Sequence, residues 1–284
     1  MNTEKIAFDH ELSRGIVAYN EKVGLWWHRQ SANSIHRYAY RNIADFIRSS
    51  FSRTPRVIVD YACGAGNLLS RLQERFPTSR LMGVDGSSFL LGMARKRLVR
   101  QGNGASPHVT LVETLLPDFE LPRAVADLVV FAFPNMVPCS AEENGNPCAH
   151  QLSRNDRVLA RELADRRAPE SAGAEDESEP ICAALIRDRL VALNIRRLLN
   201  RGATCVRVEY GNVRREELPE LELLRTEFEE GSLDHKVNGI VPDQWFRVVA
   251  SCYYRSGVME DVYHQSEDES DKAGGYFITV LRAC

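Results

Sequence analysis

The spacing of apolar residues along the 284-residue chain changes character near residue 56. Before that point Ile35, Tyr38, Ala39, Ile43, Phe46 and Ile47 recur at three- and four-residue steps. This spacing predicts helix across residues 7–50, capped at Ser31 or Ser34. Beyond it, short β-branched runs alternate with amphipathic stretches, the pattern of a parallel sheet with crossover helices. The expected strands are Val57–Asp60, Leu81–Asp85, Val109–Glu113, Leu128–Phe133, Thr204–Glu209, Met259–Tyr263 and Tyr276–Leu281. Leu68, Leu69, Leu72 and Phe76 mark one side of a helix ended by Pro77, and Phe89, Leu90, Met93, Ala94 and Leu98 mark another. Pro242–Tyr254 is predicted as a helix buried on Trp245, Val248, Val249 and Cys252, with Gly257 as its stop.

Two stretches break the alternation. Residues 138–180 carry Pro138, Gly145, Pro147, Pro169 and Pro180 and the acidic run Glu175–Glu179, with a polar, helix-like middle at Asp156–Arg167, and read as an insertion. Residues 211–241 read as a second, with Leu218, Leu221, Leu224 and Phe228 at helical spacing. The length fits one large domain with insertions, and 44% apolar with 26% charged residues is an ordinary globular balance. No apolar run reaches the roughly 20 residues of a membrane helix, and no targeting segment is visible, so the expected location is the cytoplasm. Seven scattered cysteines read as reduced thiols. A net charge of -3 offers a polyanion no global attraction, so no nucleic-acid partner is expected. The basic run Arg95, Lys96, Arg97 and Arg100 reads as a solvated helix face.

The strongest chemical signal lies at Val57-Ile58-Val59-Asp60-Tyr61-Ala62-Cys63-Gly64-Ala65-Gly66-Asn67, a buried strand running through a glycine turn into a helix. Gly64 and Gly66 let backbone approach a ligand, and a helix start offers free N–H groups. Asp85, nineteen residues beyond Gly66 at the end of the second strand, stands where a carboxylate accepts hydrogen bonds from a ribose diol. A dinucleotide fingerprint would need a small residue at position 69, where this chain has Leu69, and Asp60 would repel a pyrophosphate. An ammonium group suits Asp60 better.

With these residues in place, the chain resembles the class I S-adenosylmethionine-dependent methyltransferases, whose first motif has the form V-L-D-x-x-C-G-x-G. The resemblance covers residues 57 to about 134 and extends more loosely through the last two strands to Cys284. It implies a Rossmann-like α/β fold with a mostly parallel seven-stranded sheet in the order 3-2-1-4-5-7-6, the last strand antiparallel. It also implies S-adenosylmethionine as cofactor and S-adenosylhomocysteine as product. Gly64 and Gly66 would then wrap the methionine part, Asp60 would serve its amino group and Asp85 the ribose. Glu113 would meet the adenine amino group with Thr114 beside the ring, and Ala62, Gly86 and Phe131 complete the expected set. Residues 1–55 form a helical lid in this reading, over a cofactor domain spanning 56–284 that carries both insertions.

The acceptor is expected beyond the end of the fourth strand, against Phe133, Asn135 and Met136, under a lid bearing Trp26, Trp27 and Tyr38. Methyl transfer from a sulfonium needs orientation and desolvation, and a base only for a protonated acceptor. His28 and His36 are the candidate bases. Cys139, Cys148 and His150 match no zinc spacing, and no metal is expected. The function read from this is methylation of an oxygen or nitrogen of a small molecule, a specialised metabolite, by a monomer or homodimer. The alternatives are a protein or nucleic-acid methyltransferase and a non-catalytic nucleoside-binding regulator.

Overall fold

The computed structural model describes residues 22–101, 108–114, 116, 118, 120–133, 183–214, 245–255 and 272–284. The chain enters through helices α1 (Lys22–Ser31) and α2 (Ser34–Ser50). Of the stripe predicted from spacing, Ala39, Ile43 and Ile47 are buried on α2 together with Tyr40 and Ala44, whereas Tyr38 points to solvent. Its cap is Asn33, not the expected serines: Asn33 Oδ1 accepts the His36 backbone N–H at 2.9 Å, the role of an N-cap side chain. Ser31 is instead the last residue of α1.

Strand β1 (Val57–Tyr61), helix α3 (Asn67–Arg75), strand β2 (Arg80–Asp85), helix α4 (Ser88–Gln101) and strand β3 (Val109–Glu113) follow in alternation. Strand β4 (Ala126–Ala132), helix α5 (Ala183–Leu198) and strands β5 (Leu199–Arg214), β6 (Phe246–Arg255) and β7 (Lys272–Ala283) complete the described elements. They form one seven-stranded sheet, β3-β2-β1-β4-β5-β7-β6, as the resemblance implied. Strands β1 to β5 pair in parallel, and β7 lies antiparallel between β5 and β6.

Each face of the sheet has its own core. Ile58, Leu81, Leu128, Val206, Val208 and Ile278 pack with the apolar sides of α2 and α3. Val59, Tyr61, Val84, Val129 and Phe131 pack with Val191, Ile195 and Leu198 of α5. The near-continuous burial along β1 and β4 is what a strand covered on both faces requires.

The structure corrects one element outright: Phe246–Arg255 is a strand, not a helix. Val248 and Val249, placed on the buried side by the helical reading, are both exposed. The misreading has a physical origin. Strand β6 is an edge strand paired with β7 alone, and a bulge between Val248 and Ala250 breaks the two-residue alternation that marks a strand. Strand β5 is longer than expected and takes residues 211–214, the start of the expected second insertion. Residues 7–21, 138–180, 215–241 and the strand expected at Met259–Tyr263 lie outside the described residues. Among the described residues no helix is long and apolar enough to cross a membrane.

Candidate functional site

The carboxyl ends of β1 and β4, paired neighbours at the centre of the sheet, open into a cleft. Its walls are Asp60, Ala62, Cys63, Gly64 and Ala65 from β1 and the turn after it, Asn67 and Leu68 from the start of α3, Ala132 and Phe133 from the end of β4, and Ser31 and Tyr40 from the amino-terminal helices. The backbone is bent sharply on both sides. Gly64 and Gly66 have φ of 52° and 70°, and the non-glycine residues Ala62 and Phe133 share that left-handed region at 60° and 50°. Such conformations cost free energy in an L-residue and concentrate where a backbone must turn around a ligand.

Asp85 organises the turn. Its Oδ2 accepts the Gly64 N–H at 2.8 Å and its Oδ1 accepts the Ser87 N–H at 2.9 Å. One carboxylate thus ties the glycine turn to the start of α4. Burial pushes its pKa up, against the hydrogen bonds from Ser87, Gly64 and Gly86.

Asp60 is almost completely buried, and its Oδ2 has no hydrogen-bond partner. Desolvation first, and repulsion from Asp85 second, raise its pKa from 3.8 to about 8, opposed by a hydrogen bond from the Leu69 backbone. The free protein at neutral pH therefore holds this carboxyl protonated, and a cation placed beside it would drive the proton off. The consequence for stability has a definite sign. At low pH the acid is protonated in folded and unfolded chains alike, and its contribution is fully present. As pH climbs from 4 towards 8 only the unfolded chain releases the proton, so stability is lost until the folded pKa is passed. Asp60→Asn removes that loss. The variant is expected to outlast the wild type in thermal unfolding at pH 8.5 by several kcal/mol, with the difference closing only below about pH 4. Parallel pH profiles for the two proteins would count against a buried, protonated Asp60.

At the other end, Glu113 pairs in register with Asp85 and is exposed. The Thr114 N–H donates to Asp85 O at 3.0 Å, while its hydroxyl donates to Asp118 Oδ2 at 2.5 Å. Asn194 of α5 accepts from Tyr61 Oη at 2.5 Å and donates to Asp118 O at 2.6 Å. This chain of hydrogen bonds, buried at its Tyr61 end, fixes the segment after β3 against the residue that follows Asp60. Sequence reading missed Asn194 and Asp118. A polar residue in a helix and an acid in a loop carry no periodic signal, and only the fold brings them together.

The other expected residues divide. His28 is partly buried, its Nδ1 has no partner, and desolvation followed by the charge of Arg97 lowers its pKa. His36 is fully buried, with Nδ1 3.1 Å from Asn33 Oδ1 and its ring edge-on to Phe133 at 5.8 Å. Phe131 faces away from the cleft, packed on Tyr61 with the Arg207 guanidinium 6.0 Å above its ring. Tyr38 is 69% exposed. Trp26 and Trp27 stand on α1, with side chains outside those described, and Asn135, Met136, Cys139, Cys148 and His150 lie outside the described residues.

A seven-stranded sheet with a reversed β7, and a glycine turn flanked by two acids at its central carboxyl edge, defines the Rossmann-like methyltransferase fold. Residues 58–152 match the family model described as a methyltransferase domain. Trans-aconitate 2-methyltransferase of Acidovorax sp. (strain JS42) is 43% identical over 75 residues, 26% of this chain and 26% of that protein. The enzyme of the same name from Yersinia pseudotuberculosis (serotype O:1b, strain IP 31758) is 36% identical over 73 residues, 26% of this chain and 25% of that protein. The chain thus matches about a quarter of the length of these curated relatives. Magnesium protoporphyrin IX methyltransferase from Synechocystis, solved with bound SAH, superposes with a TM-score of 0.53 at 12% identity, over 96% of this chain and 99% of that one. A geranyl diphosphate methyltransferase in complex with GPP and sinefungin gives 0.50 at 12% identity, over 85% and 76%. The chain thus has the fold of the methyltransferases, and its residues 58–152 resemble a methyltransferase domain.

Proposed function

We propose that this chain moves a methyl group from S-adenosylmethionine to an oxygen or nitrogen of a small molecule, in a pocket between the carboxyl edge of the sheet and a lid formed by residues 1–55. The observation that carries the reading is the buried, unpartnered Asp60 Oδ2 in the wall of the glycine-turn cleft. The residues fit the cofactor: Asp60 suits its ammonium group, Gly64 and Gly66 its backbone contacts, and Asp85 its ribose hydroxyls through lone pairs beyond those bonded to Gly64 and Ser87. Glu113 and Thr114 would take the adenine end, with Ala62 and Gly86 lining the path between. The domain at 56–284 holds these groups.

When bound, the cofactor supplies a methyl group on a sulfonium centre, open to direct displacement. The chain's own part is to orient and dry the reacting atoms. Phe133, held at positive φ where β4 ends, offers an apolar wall. Trp26, Trp27, Tyr38, Asn135 and Met136 complete the acceptor side. His28 is the better-placed base of the two histidines, because a lowered pKa leaves its imidazole neutral and Nδ1 has no partner. His36 is committed to packing with Phe133 and Tyr40 and to Asn33, a supporting role beneath the pocket wall. The enzyme in this reading is cytoplasmic and works as a monomer or homodimer.

The test is turnover of methyl-labelled S-adenosylmethionine against a panel of carboxylic acids, phenols and amines. Carboxylic acids come first because the matched relatives are named for trans-aconitate. Release of S-adenosylhomocysteine with label in one small-molecule class is the expected result. Label retained on protein or RNA from a lysate would favour the macromolecular reading. Binding without any turnover would favour a regulator.

A further inference from the structure

The cleft contains a second buried acceptor that neither the spacing of the motif nor the comparisons single out. Asn67, the first residue of α3, is 7% exposed, and its Oδ1 has no hydrogen-bond partner. Asn67 and Asp60 line the same cleft. Buried unpaired acceptors are costly, and two in one cavity wall call for a ligand group that donates several hydrogen bonds.

The orientation of the Asn67 amide is decided by its neighbours. The Ser31 hydroxyl, at the end of α1, has one proton, which it donates to His28 O at 3.3 Å. Its oxygen is left to accept, and it accepts from Asn67 Nδ2 at 3.0 Å. The amide nitrogen is thereby turned to Ser31 and the carbonyl oxygen kept free. All three partners are buried or partly buried, so water competes weakly for these bonds. The amino-terminal helix, not the glycine motif, sets what this position presents.

We propose that Asn67 Oδ1, oriented by Ser31, is with Asp60 an acceptor for the ammonium group at the amino-acid end of an S-adenosyl ligand. The assignment rests on the cofactor reading above and adds a specificity residue to it. An ammonium group has three donors and no acceptor, so a carboxylate oxygen and an amide oxygen can share it without either being left unsatisfied. The same pair rejects a ligand that lacks the amine, because both oxygens then stay desolvated and unpaired. The raised pKa of Asp60 agrees with an acceptor site that ionises only when a cation arrives. Ser31 is a positioning residue here, acting through Asn67.

The experiment is calorimetric titration of the full chain with S-adenosylhomocysteine and with its desamino analogue, which keeps the adenosine, thioether and carboxylate. The wild type is expected to prefer the amine-bearing ligand by about tenfold or more. Asn67→Leu should weaken that ligand about tenfold and leave the desamino analogue within about twofold. Ser31→Ala, which keeps Asn67 but frees its amide, should give the same selective loss at about two- to fivefold, and Asn67→Asp should retain the preference. Equal weakening of both ligands by Asn67→Leu, or no weakening of either, would overturn the assignment while leaving the cofactor reading intact. A folded wild type that binds neither ligand overturns both together. Circular dichroism and thermal melting of each variant separate a lost fold from a lost contact, and Ser31→Ala carries the test if Asn67→Leu does not fold.

Discussion

Asp85→Asn is expected to weaken binding of S-adenosylhomocysteine by about 100-fold, with a smaller loss of stability. Two effects combine. The carboxylate accepts from the Gly64 and Ser87 amides at once, one on each oxygen. Asparagine has a single acceptor oxygen, so one of those N–H groups would face an NH2 donor across less than 3 Å. In the Gly64 orientation that repulsion falls on the turn that shapes the cleft. The second effect is on the ligand, since a ribose diol donates better to a carboxylate than to an amide, and a charged hydrogen bond contributes about 1.5–3 kcal/mol. The substitution also removes the second largest cause of Asp60's raised pKa, so Asp60 should ionise at lower pH in the variant. Calorimetry at pH 7.5 with a parallel thermal melt checks both. A loss below about threefold would mean that Asp85 serves the turn alone and does not meet the ligand.

How far the chain could be read without coordinates depends on what kind of regularity each part leaves in the sequence. The central strands and the helices α3 and α4 were legible because burial on both faces writes unbroken β-branched runs, and burial on one side writes a three-four spacing. The acids at 60 and 85 were legible because the glycine turn fixes how far from it a useful carboxylate stands. Strand β6 was not, because an edge strand with a bulge at Val248/Ala250 leaves its valines exposed and its apolar residues at accidental helical steps. Helix α5 went unassigned although it seals one face, its apolar positions following directly on a stretch rich in breakers. The Ser31–Asn67 bond joins residues 36 apart, and the Asn194–Tyr61 bond residues 133 apart. Neither leaves a pattern, because a polar pair matched in space is unconstrained in spacing. The same holds for His36: a histidine near a lid suggested a base, and only the packing of Phe133 and Tyr40 around it shows a core residue.

A large loss of stability is expected from one methyl group at Gly66, and a glycine elsewhere on the helix it meets supplies the control. Gly66 has φ of 70°, and a Cβ built there lies 2.9 Å from Ala94 Cβ and 3.2 Å from Ala94 Cα. The first contact is closer than real Cβ atoms come, and the second is to backbone, which cannot swing aside as a long side chain would. Gly66→Ala must therefore take on a left-handed conformation and push α4 away from the turn. Those terms cost about 1–2 kcal/mol and about 1–3 kcal/mol, so the expected destabilisation is about 3 kcal/mol. Because Gly66 lies between the cleft residues Gly64 and Asn67, cofactor binding should fall with it. Gly92 sits in the same α4 helix, and a Cβ there meets nothing within 4 Å. Gly92→Ala should raise stability by about 0.5–1 kcal/mol, the helix propensity of alanine over glycine, and leave binding unchanged. Chemical denaturation of the two variants beside the wild type reads both signs in one experiment. If Gly66→Ala melted with the wild type, α4 would have to be free to move by several tenths of an ångström, and the close approach of its Ala94 to the glycine turn would not be what holds the cleft in shape.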